Sequence, residues 1–153
     1  MGVNKMRIYN RKRARAIYEE IHDKVCDYLD SEFYGKNICD FENNKCGEKR
    51  NTSSLVGCCR PYKSKLLGPL LPASCNRVDA CKYLNLEDGK CRNKNISCKL
   101  YTCDYLRNKG IQFKINDIEL LKDFNIIQKY ILKYSVFIPK EKLINRLLRW
   151  RWL

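Results

Sequence analysis

Cysteine dominates the middle of this chain, where residues 39–103 read CDFENNKCGEKRNTSSLVGCCRPYKSKLLGPLLPASCNRVDACKYLNLEDGKCRNKNISCKLYTC. Nine of the ten cysteines in the 153-residue sequence fall in this segment. Chains of reducing compartments seldom keep so many thiols unless the thiols bind metal. The sequence therefore predicts a cysteine-ligated metal centre with the candidate ligands Cys39, Cys46, Cys58, Cys59, Cys75, Cys81, Cys91, Cys98 and Cys103.

The spacing of these cysteines argues against the compact metal motifs. The chain contains no C-x-x-C pair, which zinc ribbons, thioredoxin-like sites and bacterial ferredoxin runs require. The ligands must instead converge from separate loops, so metal would organise the tertiary structure. Side chains of successive residues in extended backbone point to opposite faces, so Cys58 and Cys59 are expected to serve two different centres.

Two loops within the segment resemble one another. Residues 39–46 (CDFENNKC) and 81–91 (CKYLNLEDGKC) each carry an aromatic residue two positions after the first cysteine and a lysine before the last one. Each loop is followed by a further pair of cysteines. The repeat predicts two lobes that bind two centres or enclose one, and the alternative is chance similarity in a chain rich in lysine and asparagine.

The types of candidate ligand limit which metals the site could bind. Sulfur ligation without histidine favours an iron–sulfur cluster, of the four-iron four-sulfur type, over copper, calcium or magnesium. Zinc is the alternative metal, and five disulfides are the alternative without metal. The single histidine, His22, lies among charged neighbours in the N-terminal segment and is expected at the surface rather than as a ligand.

Charge and hydropathy bound the compartment and the partners. The first sixteen residues contain no apolar stretch of signal-peptide length, and no run reaches the roughly 18 apolar residues of a membrane span, so a cytoplasmic protein without a transmembrane segment is expected. The chain has 31 Lys and Arg against 17 Asp and Glu, a formal charge of +14. Such a charge either keeps the protein soluble or favours binding to nucleic acid, an anionic membrane surface or an acidic protein partner.

Apolar periodicity predicts a mainly α fold with a cysteine-rich, irregular, metal-stapled middle, in a single domain spanning 1–153. Residues 4–35 of the N-terminal segment 1–35 read as one long helix. Its predicted apolar face consists of Ala14, Ile17, Ile21, Val25 and Tyr28, at spacings of three and four. Residues 36–104 lose this periodicity and have few large apolar side chains, so they need cross-links to offset their ordering entropy.

Residues 105–153 return to a helical pattern. Asn116 with Glu119 resembles a capping box, and Pro139 suits the first turn of a second helix. The predicted apolar stripes are Leu120, Phe124, Ile127, Ile131 and Tyr134 in the first helix and Leu143, Leu147 and Trp150 in the second. Three roles are open for the ending Leu147-Leu-Arg-Trp-Arg-Trp-Leu153. It packs on the protein's own core, binds an anionic membrane surface, or stacks on nucleotides.

The second half of the cysteine segment resembles a known family. Cys81-x2-Leu84, Gly89-x-Cys91, and Cys98-Lys-Leu-Tyr101 followed by Cys103 are similar to the YkgJ-type cysteine-cluster family, and the Cys58-Cys59 pair matches the double cysteine of its first half. The resemblance implies a zinc- or iron-chelating protein, in some members an iron–sulfur oxidoreductase.

Two function classes follow from these patterns. The first is an iron–sulfur protein that transfers electrons or assists a redox protein partner. The alternative is a zinc-stapled module whose basic termini bind nucleic acid or another anionic partner. The chain has no G-x-S-x-G, P-loop or H-E-x-x-H motif, so any enzymatic activity is expected at the metal centre itself, with no catalytic residues outside it.

Overall fold

The computed structural model describes residues 10–42, 47, 83, 85, 87–88, 90–100, 102, 104–135 and 138–152. The chain divides into two compact units. The helical unit comprises Met1–Leu29, Lys94–Leu100 and Phe113–Leu153, and the cysteine-rich unit comprises Asp30–Asn93 and Tyr101–Gln112.

The predicted mainly helical fold, with a long N-terminal helix and C-terminal helices, is confirmed. The α-helices are α1 (Arg11–Asp30), α2 (Ile96–Leu100), α3 (Asp104–Asn108), α4 (Ile126–Tyr134) and α5 (Lys140–Arg149). The described residues contain no β-strand, only isolated bridges at Glu42 and Cys91. Most of the segment 36–104, and with it the predicted metal-stapled middle, lies outside the described residues.

Helix α1 begins where Asn10 caps it. The Asn10 side-chain oxygen accepts the backbone N–H groups of Lys12 (2.9 Å) and Arg13 (3.2 Å), which would otherwise lack partners at a helix start. The predicted helix 4–35 is therefore observed as Arg11–Asp30, continued by a π-helical turn at Ser31–Gly35. Residues 4–9 lie outside the described residues.

The buried face of α1 includes the predicted Ala14 and Val25 but otherwise differs from the predicted one. It consists of Ala14, Tyr18, His22, Val25, Cys26 and Leu29, whereas the predicted Tyr28 is exposed. The prediction followed the aliphatic side chains and so rotated the stripe by one residue. Tyr18 and His22 are amphipathic side chains whose burial depends on partners from other helices.

The C-terminal helices begin later than predicted. Asn116 with Glu119 does not start an α-helix, because Ile115–Asp117 and Glu119–Leu121 are two 3₁₀ turns separated by Ile118 in an extended conformation. A capping box does form further along, where Asn125 and Gln128 exchange side-chain and backbone hydrogen bonds at the start of α4. Of the predicted stripe, Phe124 is buried and Tyr134 is exposed.

The end of the chain closes the core only in part. Pro139 precedes α5 at the cap position, so the predicted second helix is confirmed. Leu147 and Leu148 are buried. Trp150, predicted to share the buried face, lies beyond the end of α5 and is 42% exposed.

One polar side chain joins three helices of the helical unit. The buried Gln128 amide donates to the Tyr18 hydroxyl of α1 (3.0 Å) and to the Leu147 carbonyl of α5 (3.2 Å). A buried amide without such partners would cost about 1–3 kcal/mol. Gln128 therefore fixes the packing of α4 against α1 and α5 around a core that includes Leu121, Leu132, Leu143 and Ile144.

Candidate metal centre

Three of the nine predicted ligands lie among the described residues. Cys39 and Cys91 belong to the cysteine-rich unit and Cys98 to the helical unit, and each is a thiol. Within the described ranges no three His, Cys, Asp or Glu side chains form a metal-binding group. The six other predicted ligands lie outside the described residues: Cys46, Cys58, Cys59, Cys75, Cys81 and Cys103.

Hydrogen bonds hold the backbone at Cys91 and at the residue that follows it. The Cys91 backbone N–H donates to the Tyr34 hydroxyl (2.6 Å), and its Sγ accepts the backbone N–H of Asn93 at 3.4 Å. The Arg92 N–H donates to the Tyr83 carbonyl at 2.7 Å. An N–H directed at sulfur stabilises a thiolate over a thiol, because it offsets the negative charge.

The loop before Cys91 is ordered by side chains that mimic turns. Asn85 accepts the N–H of Glu87 (2.8 Å), and Asp88 accepts the N–H of Lys90 (2.9 Å), both Asx-turn contacts. The Lys90 N–H, aided by Arg92, lowers the pKa of the Asp88 carboxyl. Asp88 therefore stays ionised, and continues to accept the Lys90 N–H as a carboxylate, to a lower pH than an ordinary aspartate would.

Cys39 is held between two residues with left-handed backbone. Asn37 has φ 45° and Asp40 has φ 47°, a conformation that these two residue types tolerate best after glycine. The Cys39 carbonyl accepts the N–H of Gly47 at 2.8 Å. This hydrogen bond closes the loop whose last cysteine, Cys46, precedes Gly47 in the sequence.

Tyr105 of α3 packs against this loop. Its ring lies so close to Gly47 that a Cβ there would overlap it. The Tyr105 hydroxyl donates to the Asp40 carboxylate. Lys109 Nζ also donates to that carboxylate (2.5 Å) and lies 4.5 Å from the Tyr105 ring centre. The hydrogen bond from Lys109 to Asp40 raises the pKa of the lysine.

Cys98 is fixed in the helical unit through the start of α2. The Asn95 side chain accepts the Cys98 N–H (3.0 Å) and donates to the carbonyls of Ser135 (2.9 Å) and Ile138 (3.2 Å). Ser97 donates to the Leu132 carbonyl and accepts the Ser135 N–H (2.9 Å). These contacts attach α2 to the end of α4, within a region predicted to be irregular.

His22 is buried, so its predicted surface position is wrong. It is 2% exposed, one helical turn from the buried Cys26. Its Nδ1 lies 3.2 Å from an Asp23 carboxylate oxygen, and its Nε2 has no hydrogen-bond partner among the described residues. Burial lowers the pKa of His22, only partly opposed by Asp23, and Lys140 and Lys94 add to the lowering. The sequence signal was the spacing of four from Tyr18 to His22 to Cys26.

The buried neutral ring predicts an acid-sensitive stability. Below the ordinary histidine pKa of about 6.5, His22 is protonated in the unfolded chain but stays neutral in the folded chain. The free energy of unfolding therefore falls as the pH drops through that value. Urea unfolding between pH 8 and pH 5 should show a declining midpoint. His22→Leu should remove most of the decline, because His22 is the only histidine. An equal decline in the variant would contradict this.

No protein-family model, no curated protein and no solved structure matches the chain. No helix among the described residues combines the length and the apolar content that crossing a membrane requires.

Proposed function

We propose that this chain binds an iron–sulfur cluster, of the four-iron four-sulfur type, through cysteines of residues 39–103, and that it transfers electrons or assists a redox partner. The observation that carries the proposal is the hydrogen bond from the Asn93 N–H to the Cys91 sulfur at 3.4 Å. Backbone donors to sulfur are one of the features by which proteins stabilise cluster ligands and tune the reduction potential of a cluster.

A second contact supports the proposal. Tyr34 belongs to the π-helical turn that leads directly to Cys39, and its hydroxyl accepts the N–H of Cys91 at 2.6 Å. Two candidate ligands far apart in sequence thus come from segments that are hydrogen-bonded to each other. Ligands held by their own backbone contacts need less reorganisation when metal binds.

The proposal has consequences for compartment, partner and chemistry. Thiolate ligands persist where cysteines stay reduced, which favours the cytoplasm. An electron carrier requires a redox protein as partner. Any catalytic role belongs to the cluster, since the sequence offers no separate nucleophile and base. Zinc would use the same thiolates but would carry no electron, so a redox measurement separates the two metals.

The Asn93 donor can be removed without touching a sulfur. Asn93→Pro deletes the N–H that Cys91 accepts, whereas the control Asn93→Ala changes the same side chain and keeps the N–H. Losing a bond of about 1 kcal/mol should lower the reduction potential by about 40 mV, since 59 mV corresponds to a tenfold change for one electron. Voltammetry of both variants, prepared without oxygen, provides the measurement.

Equal potentials in the two variants, with iron and sulfide present, would contradict the role given to this N–H. Loss of iron from Asn93→Ala as well as Asn93→Pro would assign the effect to the side chain instead. Stoichiometric zinc without a redox signal in the unmodified protein would remove the electron-transfer proposal altogether.

A further inference from the structure

The helical unit carries an exposed aromatic surface, formed by Ile126, Tyr130 and Tyr134 of α4 with Trp150 and Trp152. Residues 126, 130 and 134 recur every four positions and so lie along one stripe of the helix. Ile126 is 83% exposed, Tyr130 64% and Trp152 44%. The Asn125 amide beside Ile126 donates to the Trp150 carbonyl at 2.7 Å, so the backbone that carries Trp150 lies beside the start of α4.

Charge on this surface has one sign. Neither 125–135 nor 142–152 contains Asp or Glu, and Lys133, Arg146 and Arg149 are exposed there. The acidic residues that lie nearest in the sequence are Asp123, before the first range, and Glu141, directly before the second. Exposed isoleucine, tyrosine and tryptophan among cations are the composition of an interfacial membrane surface.

We propose that this aromatic surface docks on an anionic phospholipid bilayer, with Ile126 and the tryptophans entering the headgroup region and the cations meeting lipid phosphates. The proposal is independent of the metal. Two observations support it. The charges of the surface complement those of an anionic lipid, and the aliphatic Ile126 side chain is exposed although it can neither form a hydrogen bond nor stack on a base.

The ring contacts favour a bilayer over single-stranded nucleic acid. Base stacking needs an open ring face. The Tyr130 and Tyr134 rings, tilted by 47° with centroids 4.6 Å apart, cover part of each other's faces. Lys133 Nζ lies 5.3 Å from the Tyr134 ring centre, and the Arg151 guanidinium lies 4.4 Å from that of Trp152. A second copy of the chain is disfavoured because each copy carries a formal charge of +14.

Flotation of the full chain with vesicles tests the proposal. We expect binding to phosphatidylcholine vesicles that contain phosphatidylserine and little binding to phosphatidylcholine alone. Ile126→Ser with Tyr130→Ser should weaken binding about tenfold. Leu120→Ser with Tyr28→Ser is the matched control, since both residues are 41% exposed outside the surface, and it should bind as the unmodified chain does.

A second pair of double variants measures the contribution of the positive charges to vesicle binding. Lys133→Gln with Arg149→Gln should weaken binding roughly 25-fold, at about fivefold for each charge near an anionic surface. Lys12→Gln with Lys24→Gln changes two exposed lysines of α1 in the helical unit and gives the same net charge. It should change binding by no more than about twofold, because neither lysine belongs to the surface and salt screens charges that do not meet the lipid. Circular dichroism checks that every variant keeps its helices.

Equal binding to neutral vesicles, or binding that survives both surface variants, overturns the proposal. Capture of a single-stranded oligonucleotide without vesicle binding overturns it in favour of nucleic acid. Self-association that the surface variants abolish, without vesicle binding, overturns it in favour of a second copy.

Discussion

Removing metal should unfold the cysteine-rich unit while the helical unit persists. Among the described residues, the connected apolar cluster consists of side chains of the helical unit, among them Leu29, Leu121 and Leu147. The sequence of 36–104 has few large apolar side chains to offset ordering entropy, so the energy of the proposed metal binding would be folding energy there. Structural zinc sites contribute about 10–16 kcal/mol in this way, and a cluster with four thiolates is expected to matter on a similar scale.

Hydrogen exchange before and after chelation measures this effect. Amides of 30–42, 90–93 and 104–112 should lose protection, whereas those of α1, α4 and α5 should keep it. Helix α2 lies within 36–104 but is attached to α4 through Asn95 and Ser97, so it should stay protected as well. Unchanged exchange throughout the cysteine-rich unit after complete loss of metal would contradict the account.

Gly47→Ala should destabilise the same unit, because the added Cβ would overlap the Tyr105 ring. Overpacking of this kind costs about 1–3 kcal/mol. It would also loosen the hydrogen bond from Gly47 to the Cys39 carbonyl, so metal affinity should fall together with stability. Gly35→Ala is the matched control, since nothing lies within 4 Å of a Cβ at that position, and it should be neutral or slightly stabilising.

A double variant separates the overlap from other effects of the methyl group. Tyr105→Ala removes the ring and also the hydrogen bond to Asp40, so by itself it should lower stability. Adding Gly47→Ala to it should then cost little, and the cycle should show coupling of about 1 kcal/mol or more. Strict additivity of the two changes in denaturant unfolding would show that the ring does not limit position 47.

Helix existence followed from the sequence more readily than helix faces and boundaries. The apolar recurrence from Ala14 to Val25 predicts α1, and Pro139 predicts α5. Two capping patterns lay close together, however, and only Asn125 with Gln128 forms a box. Gln128 is selected because its amide also reaches Tyr18 and Leu147, partners from other helices that local sequence does not reveal.

The candidate centre was predictable as a composition but not as a geometry. The clustering of cysteines predicted Cys39 and Cys91 as candidate ligands. Nothing in that pattern indicated that the Tyr34 hydroxyl would accept the Cys91 N–H. The left-handed conformation of Asp40 beside Cys39 goes with a long-range contact to Tyr105, which the local sequence does not reveal. Burial of His22 was missed because hydropathy ranks histidine as polar, although its spacing from Cys26 matched the buried face.

Metal analysis of protein prepared without oxygen tests the central claim most directly. We predict iron with acid-labile sulfide and broad visible absorption in the unmodified chain and in Cys26→Ser, whose residue lies on the N-terminal helix outside the cluster. We predict loss of both in Cys91→Ser. Colourless protein without iron, or equal iron in Cys91→Ser and the unmodified chain, would contradict the account.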